Sequence, residues 1–255
     1  MASPILYLSP PAPVSMSDWY YDLASTEHFW VRRRFDVLTR LGDDVFRNAR
    51  SAAEIGCGHG VLQRQVEDHY GIPVMGFELN KFALEKSISR LSPLCCYDIH
   101  QRCAEFKSKF DLIFLCDVLE HIPDEVAFLE SVKYHLAPFG VLVINVPAFQ
   151  MLYSQYDRTV GHFRRYTITA LKERIEASGL RIRNWTYWGL PLAPLLLGRK
   201  LATGMRTTEN QVVDSGFKPP GGSFGNKALR LLSRCEWIPQ SLFGTSLTAF
   251  VEKPD

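Results

Sequence analysis

Several things are missing from this 255-residue chain, and each absence closes a class of function. No stretch approaches the roughly 20 apolar residues of a spanning helix. The longest candidate, Gly189 to Leu197, is broken by Pro191 and Pro194. The start of the chain lacks a basic region, a long apolar region and a small-residue cleavage site, so no signal peptide is read. There is no excess charge of either sign. Lys and Arg number 29 against 27 Asp and Glu, a formal +2, which gives no electrostatic track for nucleic acid. Six cysteines are present, at 57, 95, 96, 103, 116 and 235, yet no two form a CxxC pair. Without metal-ligand spacing, and mostly inside apolar runs, they read as buried reduced thiols in a cytoplasmic setting. No internal repeat or low-complexity tract stands out.

What is present is an alternation of short apolar runs and amphipathic stretches. Residues 1–17 read as a flexible arm. Residues 18–41 read as an aromatic-rich helical cover ending near Gly42. Strands are expected at Ser51–Ile55, Val74–Phe77, Leu94–Tyr97, Leu112–Cys116 and Val141–Val146, with helices between them at His59–His69, Lys81–Leu91 and Asp124–Leu136. Continuous apolar strands joined by helix-length connectors imply a parallel sheet covered on both faces, hence a doubly wound α/β fold. Beyond Val146 come a polar and aromatic loop to Tyr166, a helix at Ile168–Ser178 and a strand at Leu180–Trp188. Residues 189–244 form a Pro- and Gly-rich insertion with short helices near Leu195–Ala202 and Lys227–Arg234. A last strand spans Ser246–Glu252.

The sharpest motif is Glu54-Ile55-Gly56-Cys57-Gly58-His59-Gly60, at the turn from the first core strand into the first core helix. Glycines there allow a tight turn and a close backbone approach to a ligand. A dinucleotide turn places its last glycine where this chain has Val61, and an acid two residues ahead suits a cationic ligand better than a pyrophosphate. The pattern resembles motif I of class I S-adenosylmethionine-dependent methyltransferases, of the bacterial small-molecule or glycan type. That resemblance runs from about Asp18 to Lys253. It implies a Rossmann-like fold with a seven-stranded, mostly parallel sheet, a helical cover and a lid, and S-adenosylmethionine as cofactor.

The resemblance distributes roles along the chain. Glu78, about 20 residues beyond the glycine turn and followed by Leu79, would accept both ribose hydroxyls. Asp98 and Ile99 would meet the adenine amino group and ring, and Asp117 the methionine part. Cys57 lies within the glycine turn itself. His28-Phe29-Trp30-Val31-Arg32 resembles a helix folded over the cofactor, with Trp30 covering it and Arg32 pairing with its carboxylate. The alternative is a packed aromatic beside surface arginines. Asp117, Glu120 and His121, at i, i+3 and i+4, are similar to the Glu-x-x-Glu-His metal motif of ubiquinone-pathway O-methyltransferases. Asp in place of the first Glu shortens one arm, and no metal ligands are assigned.

Methyl transfer to a hydroxyl requires loss of its proton, and two histidines compete for the work: His121 and His162. The latter lies in Gly161-His162-Phe163-Arg164-Arg165-Tyr166, similar to a segment of bacterial methyltransferases. Arg164 or Arg165 would hold an anionic acceptor group, or both would be spent in ion pairs that anchor the next helix. The expected partner is a small-molecule acceptor, with no nucleic acid. The lid's apolar run beside Arg199 and Lys200 fits either a membrane surface or packing onto the main domain. An N-methyltransferase, or a cofactor-binding protein without turnover, are the rival readings.

Overall fold

The computed structural model describes residues 4–14, 25–203 and 222–254. Eight strands form one sheet: β1 (Ile5–Tyr7), β2 (Ala52–Ile55), β3 (Val74–Glu78), β4 (Leu94–Cys96), β5 (Phe110–Cys116), β6 (Leu136–Pro147), β7 (Arg181–Trp188) and β8 (Ser246–Glu252). Their spatial order is β1-β4-β3-β2-β5-β6-β8-β7. The first six pair in parallel, and β8 and β7 add antiparallel at the far edge. The chain runs outward from β2 to β4 and then returns to β5, so strand order reverses between β2 and β5. Ligands of doubly wound sheets sit at the carboxyl ends of strands at such a reversal.

Alternation along β5 shows why the sheet is buried on both sides. Leu112 and Phe114 face one layer with Leu38, Phe46, Leu62 and Val66. Ile113 and Leu115 face the other, with Phe128, Leu129, Leu171 and Ile175. The helices of these layers are α1 (Phe29–Asn48), α2 (Val61–Tyr70), α3 (Lys81–Glu85), α4 (Glu125–His135), α5 (Gln155–Thr159) and α6 (Ile168–Ala177). Asp124 and Thr167 cap α4 and α6 by accepting from Ala127 N–H and Ala170 N–H, which satisfies first-turn donors.

Two sequence expectations are corrected and one is extended. The sheet has eight strands, not seven, because Ile5–Tyr7 of the supposed arm pairs with Leu94–Cys96. The cover helix breaks at Gly42 as expected, but helical structure resumes directly beyond it. It runs to Asn48 through a non-helical Gly42 (φ −136°, ψ 21°). A Cβ there would lie 2.2 Å from the Phe250 ring, so the kink seats the helix on β8. Finally, α3 covers only Lys81–Glu85, short of the expected Leu91. The first part of the expected cover, residues 18–24, lies outside the described residues. The lid begins after Trp188 with a turn at Leu190–Leu192, then α7 (Ala193–Thr203) and α8 (Gly222–Leu232). Residues 204–221 lie outside the description. Among the described residues no helix is long and apolar enough to cross a membrane.

Candidate active site

The glycine turn sits at the carboxyl end of β2, with Gly56, Gly58 and Gly60 all at positive φ (72°, 54° and 82°). A side chain at Gly56 would be strained in φ and would meet Val118 Cγ2 at 2.5 Å. The turn is held open by the neighbouring strand. Gly58 N–H donates to Glu78 Oε2 at 2.9 Å, while Leu79 and Asn80 N–H donate to Oε1 at 2.8 and 2.9 Å. Three backbone donors therefore occupy the Glu78 carboxylate, and Oε2 keeps one lone pair for a further donor. Leu79 packs against the small core of Cys57, Leu84, Leu94 and Cys96.

Glu54 is buried beneath this turn, and its Oε2 has no hydrogen-bond partner. Burial pushes its carboxyl up to about 8, against the opposing pull of Arg34. Arg34 is itself buried and forms an ion pair with Asp117, while its Nε–H is unpartnered. A buried acceptor and a buried donor, each unsatisfied and within electrostatic reach, complement a zwitterion: ammonium toward Glu54, carboxylate toward Arg34.

Asp117 stands at the end of β5 with φ 60°, an unusual conformation for a residue with a side chain. It is fixed from two sides. Its N–H donates to Asn145 O at 2.8 Å, and Asn145 Nδ2 donates to its Oδ1 at 2.9 Å. Asn145 Oδ1 in turn accepts from Trp188 Nε1 at 3.1 Å and Thr248 Oγ1 at 2.8 Å. Burial raises the Asp117 carboxyl despite the Arg34 pair.

The cover meets the end of β7 and the lid beside this site. Trp30 lies 5.6 Å from Trp188 and 5.2 Å from the Arg34 guanidinium. Arg32 pairs instead with Glu27 nearer the surface. Arg33 reaches Glu236, whose carboxylate also accepts Gly189 and Leu190 N–H at 2.9 and 3.0 Å. At the far end of the turn Asp98 caps the short Ile99–Gln101 helix, accepting His100 N–H at 2.9 Å, and Ile99 is buried. The N-terminal strap crosses here: Ser9 Oγ accepts Asp98 N–H at 2.8 Å, and Ala12 N–H donates to Leu79 O at 3.0 Å.

The two histidines come together at the ends of β5 and β6. His121 and His162 stand edge to face with ring centroids 4.7 Å apart. Burial, then the neighbouring His162, lowers His121 to about 3, so it is neutral at physiological pH. His162 Nδ1 is 2.9 Å from Asp157 Oδ1. Burial acts to raise the Asp157 carboxyl, but the His162 hydrogen bond and the Arg165 ion pair hold it well below the usual carboxylate range. An ionised Asp157 accepts a hydrogen bond from Nδ1–H, and that tautomer puts the imidazole lone pair on Nε2. That Nε2 is 3.9 Å from Glu120 Oε1.

Arg164 and Arg165 are spent in ion pairs, with Glu125 at 2.7 Å and Asp157 at 2.8 Å. Of the two roles open to them, the anchoring one is observed. Asp117 turns away to Arg34, so the spacing Asp117, Glu120, His121 does not assemble as a ligand set. Glu120, His121 and His162 do come together, with ligand atoms within 4.8 Å of one another, although burial pushes the Glu120 carboxyl well up, which disfavours the ionised form a cation would need.

A methyltransferase-domain family model matches residues 15–184 of the chain. Phosphoethanolamine N-methyltransferase 2 of Caenorhabditis elegans is 29% identical over 116 residues, 43% of this chain and 26% of that protein. Ubiquinone biosynthesis O-methyltransferase of Actinobacillus pleuropneumoniae is 28% identical over 123 residues, 44% of this chain and 51% of that protein. The matches thus span a quarter to a half of those curated relatives. Phosphoethanolamine N-methyltransferase 2 of Haemonchus contortus, solved with S-adenosyl-L-methionine, superposes with a TM-score of 0.55. It is 17% identical, and the match covers 89% of this chain and 53% of that one.

Proposed function

The chain belongs to the methyltransferase-domain family, and on that premise we propose that it methylates a small-molecule hydroxyl acceptor with S-adenosylmethionine as donor. The observation that carries the reading is the Asp157–His162 pair beside the donor cleft at the strand ends. S-adenosylmethionine supplies a methyl carbon already activated on a sulfonium, so the protein has mainly to align the acceptor and exclude water. In this reading Glu54 holds the amino group and Arg34 the carboxylate, supported by their unpartnered Oε2 and Nε. Glu78 Oε2 takes a ribose hydroxyl, Asp98 and Ile99 line the adenine side, and Asp117 orients Arg34.

His162 Nε2 removes the acceptor proton as the oxygen attacks, and Asp157 stabilises the imidazolium that forms. Neutral His121 packs against that ring. Residues 25–41 act as the described part of the cover and residues 189–203 and 222–244 as that of the lid, with Trp30 screening the cleft and buried Trp188 backing it. Cysteines that are all free thiols support a reducing, cytoplasmic setting.

Calorimetry with S-adenosylmethionine and S-adenosylhomocysteine, then product detection over hydroxyl and amine acceptors, tests the proposal. Donor binding that survives both Gly58→Val and Glu78→Ala overturns the donor site. The similarity to an N-methyltransferase favours a second reading, an amine acceptor. Turnover confined to amines would establish it, and tight donor binding without any turnover would point to a regulatory protein.

A further inference from the structure

The lid helix α8 is amphipathic with its apolar side outward. None of its residues is buried. Phe224, Ala228 and Leu231, spaced by four and three residues, share one helical face, and Phe224 and Leu231 are 82% and 71% exposed. The polar side holds the helix down. Asn226 accepts Phe29 N–H and donates to Glu27 O, each at 2.9 Å. Lys227, Arg230 and Arg234, spaced by three and four, form a basic row beside the apolar one. Arg234 pairs with Asp36 at 3.2 Å. Residues 222–235 include no Asp or Glu. Just past them, Trp237 is 87% exposed.

Helices packed on a core turn the apolar row inward. Here burial is declined by the apolar row, and a one-sign charge row runs along its flank. Exposed Phe, Leu and Trp with flanking Lys and Arg match the chemistry of an anionic bilayer surface: acyl chains for the first, phosphates for the second. A two-fold contact between copies of this face would set its basic rows in one interface, which argues against self-association. We propose that the lid docks peripherally on anionic phospholipid through Phe224, Leu231 and Trp237, with Lys227 and Arg230 toward the phosphates. The proposal is independent of the donor and of turnover.

The test is co-sedimentation of the full chain with vesicles of phosphatidylcholine alone and of equal parts phosphatidylcholine and phosphatidylglycerol. Binding is expected to the mixed vesicles, weakening as salt rises. Lys227→Gln with Arg230→Gln should weaken it by about 25-fold, about fivefold per charge. Phe224→Ser with Leu231→Ser should abolish it. All four side chains are solvent-facing or partly so, and an unchanged thermal melt certifies the folded variants. No binding to mixed vesicles, equal binding to both compositions, or binding indifferent to either double variant overturns the proposal. A dimer on gel filtration that Leu231→Ser splits, without vesicle binding, would assign the face to a second copy.

Discussion

Glu54→Gln separates the charge of the donor site from its shape. Glu54 is pushed up to about 8 from an ordinary 4.5 by burial, so at pH 7 about nine-tenths of the ligand-free protein carries a proton there. An ammonium docked against Oε2 favours the ionised form and expels that proton. Binding of S-adenosylmethionine at pH 7 should therefore release about 0.9 proton per site. Calorimetry in buffers of contrasting ionisation enthalpy reads this number as the slope of binding enthalpy against buffer enthalpy. The apparent affinity should also rise about tenfold from pH 6 to pH 7.

The sign for the ligand-free protein is opposite. A carboxyl whose folded value lies above its unfolded one contributes stability present below about pH 4.5 and lost as pH rises through about 8. The loss has an upper limit of about 5 kcal/mol. Gln mimics the protonated acid, so the variant should be more stable than the parent at pH 8 to 9 while its slope falls toward zero. A parent slope of zero, or a variant slope equal to the parent's, would refute the assignment of Glu54 to the amino group.

Other consequences are quicker to check. His162→Ala should lower kcat by about 10² or more through loss of the base, with donor affinity unchanged by calorimetry. Full retention of kcat would mean an acceptor that needs no base. Arg33→Met leaves Glu236 buried and without its cation, so chemical denaturation should show a loss of about 3–5 kcal/mol, whereas a change under 1 kcal/mol would count against a buried pair. Excess chelator should leave initial rates intact, since His162 works through Asp157. A loss restored by magnesium or manganese would hand the proton to a cation held by Glu120, His121 and His162.

Local pattern carried much of the fold. The core strands and the glycine turn were legible because apolar runs, connector lengths and turn residues agreed. Strand β1 was not, because three residues beside Pro10 and Pro11 carry no period, and only the open edge of β4 makes them a strand. The motif resemblance singles out Arg32, and the period of α1 adds a distinction among the three arginines. Val31, Arg33, Arg34, Val37 and Leu38 are buried, so Arg33 and Arg34 share the inward side and Arg32 does not. Asp157 closes a Ser154-x-x-Asp157 capping box that the sequence displays, whereas Asn145 and Glu236 had no local signal. Each of those two matters through partners between 28 and 203 residues away, and such pairings emerge only when the fold brings them together.

Glu236 has a kinetic meaning beyond its bonds. One buried carboxylate clasps Arg33 of the cover and both Gly189 and Leu190 at the hinge of the lid. Lifting the cover alone would strand a cation and an anion away from water, whereas moving cover and lid root together keeps them paired. Parting the cover from the lid root therefore means breaking a buried ion pair, which costs about 3–5 kcal/mol when one partner is left uncompensated.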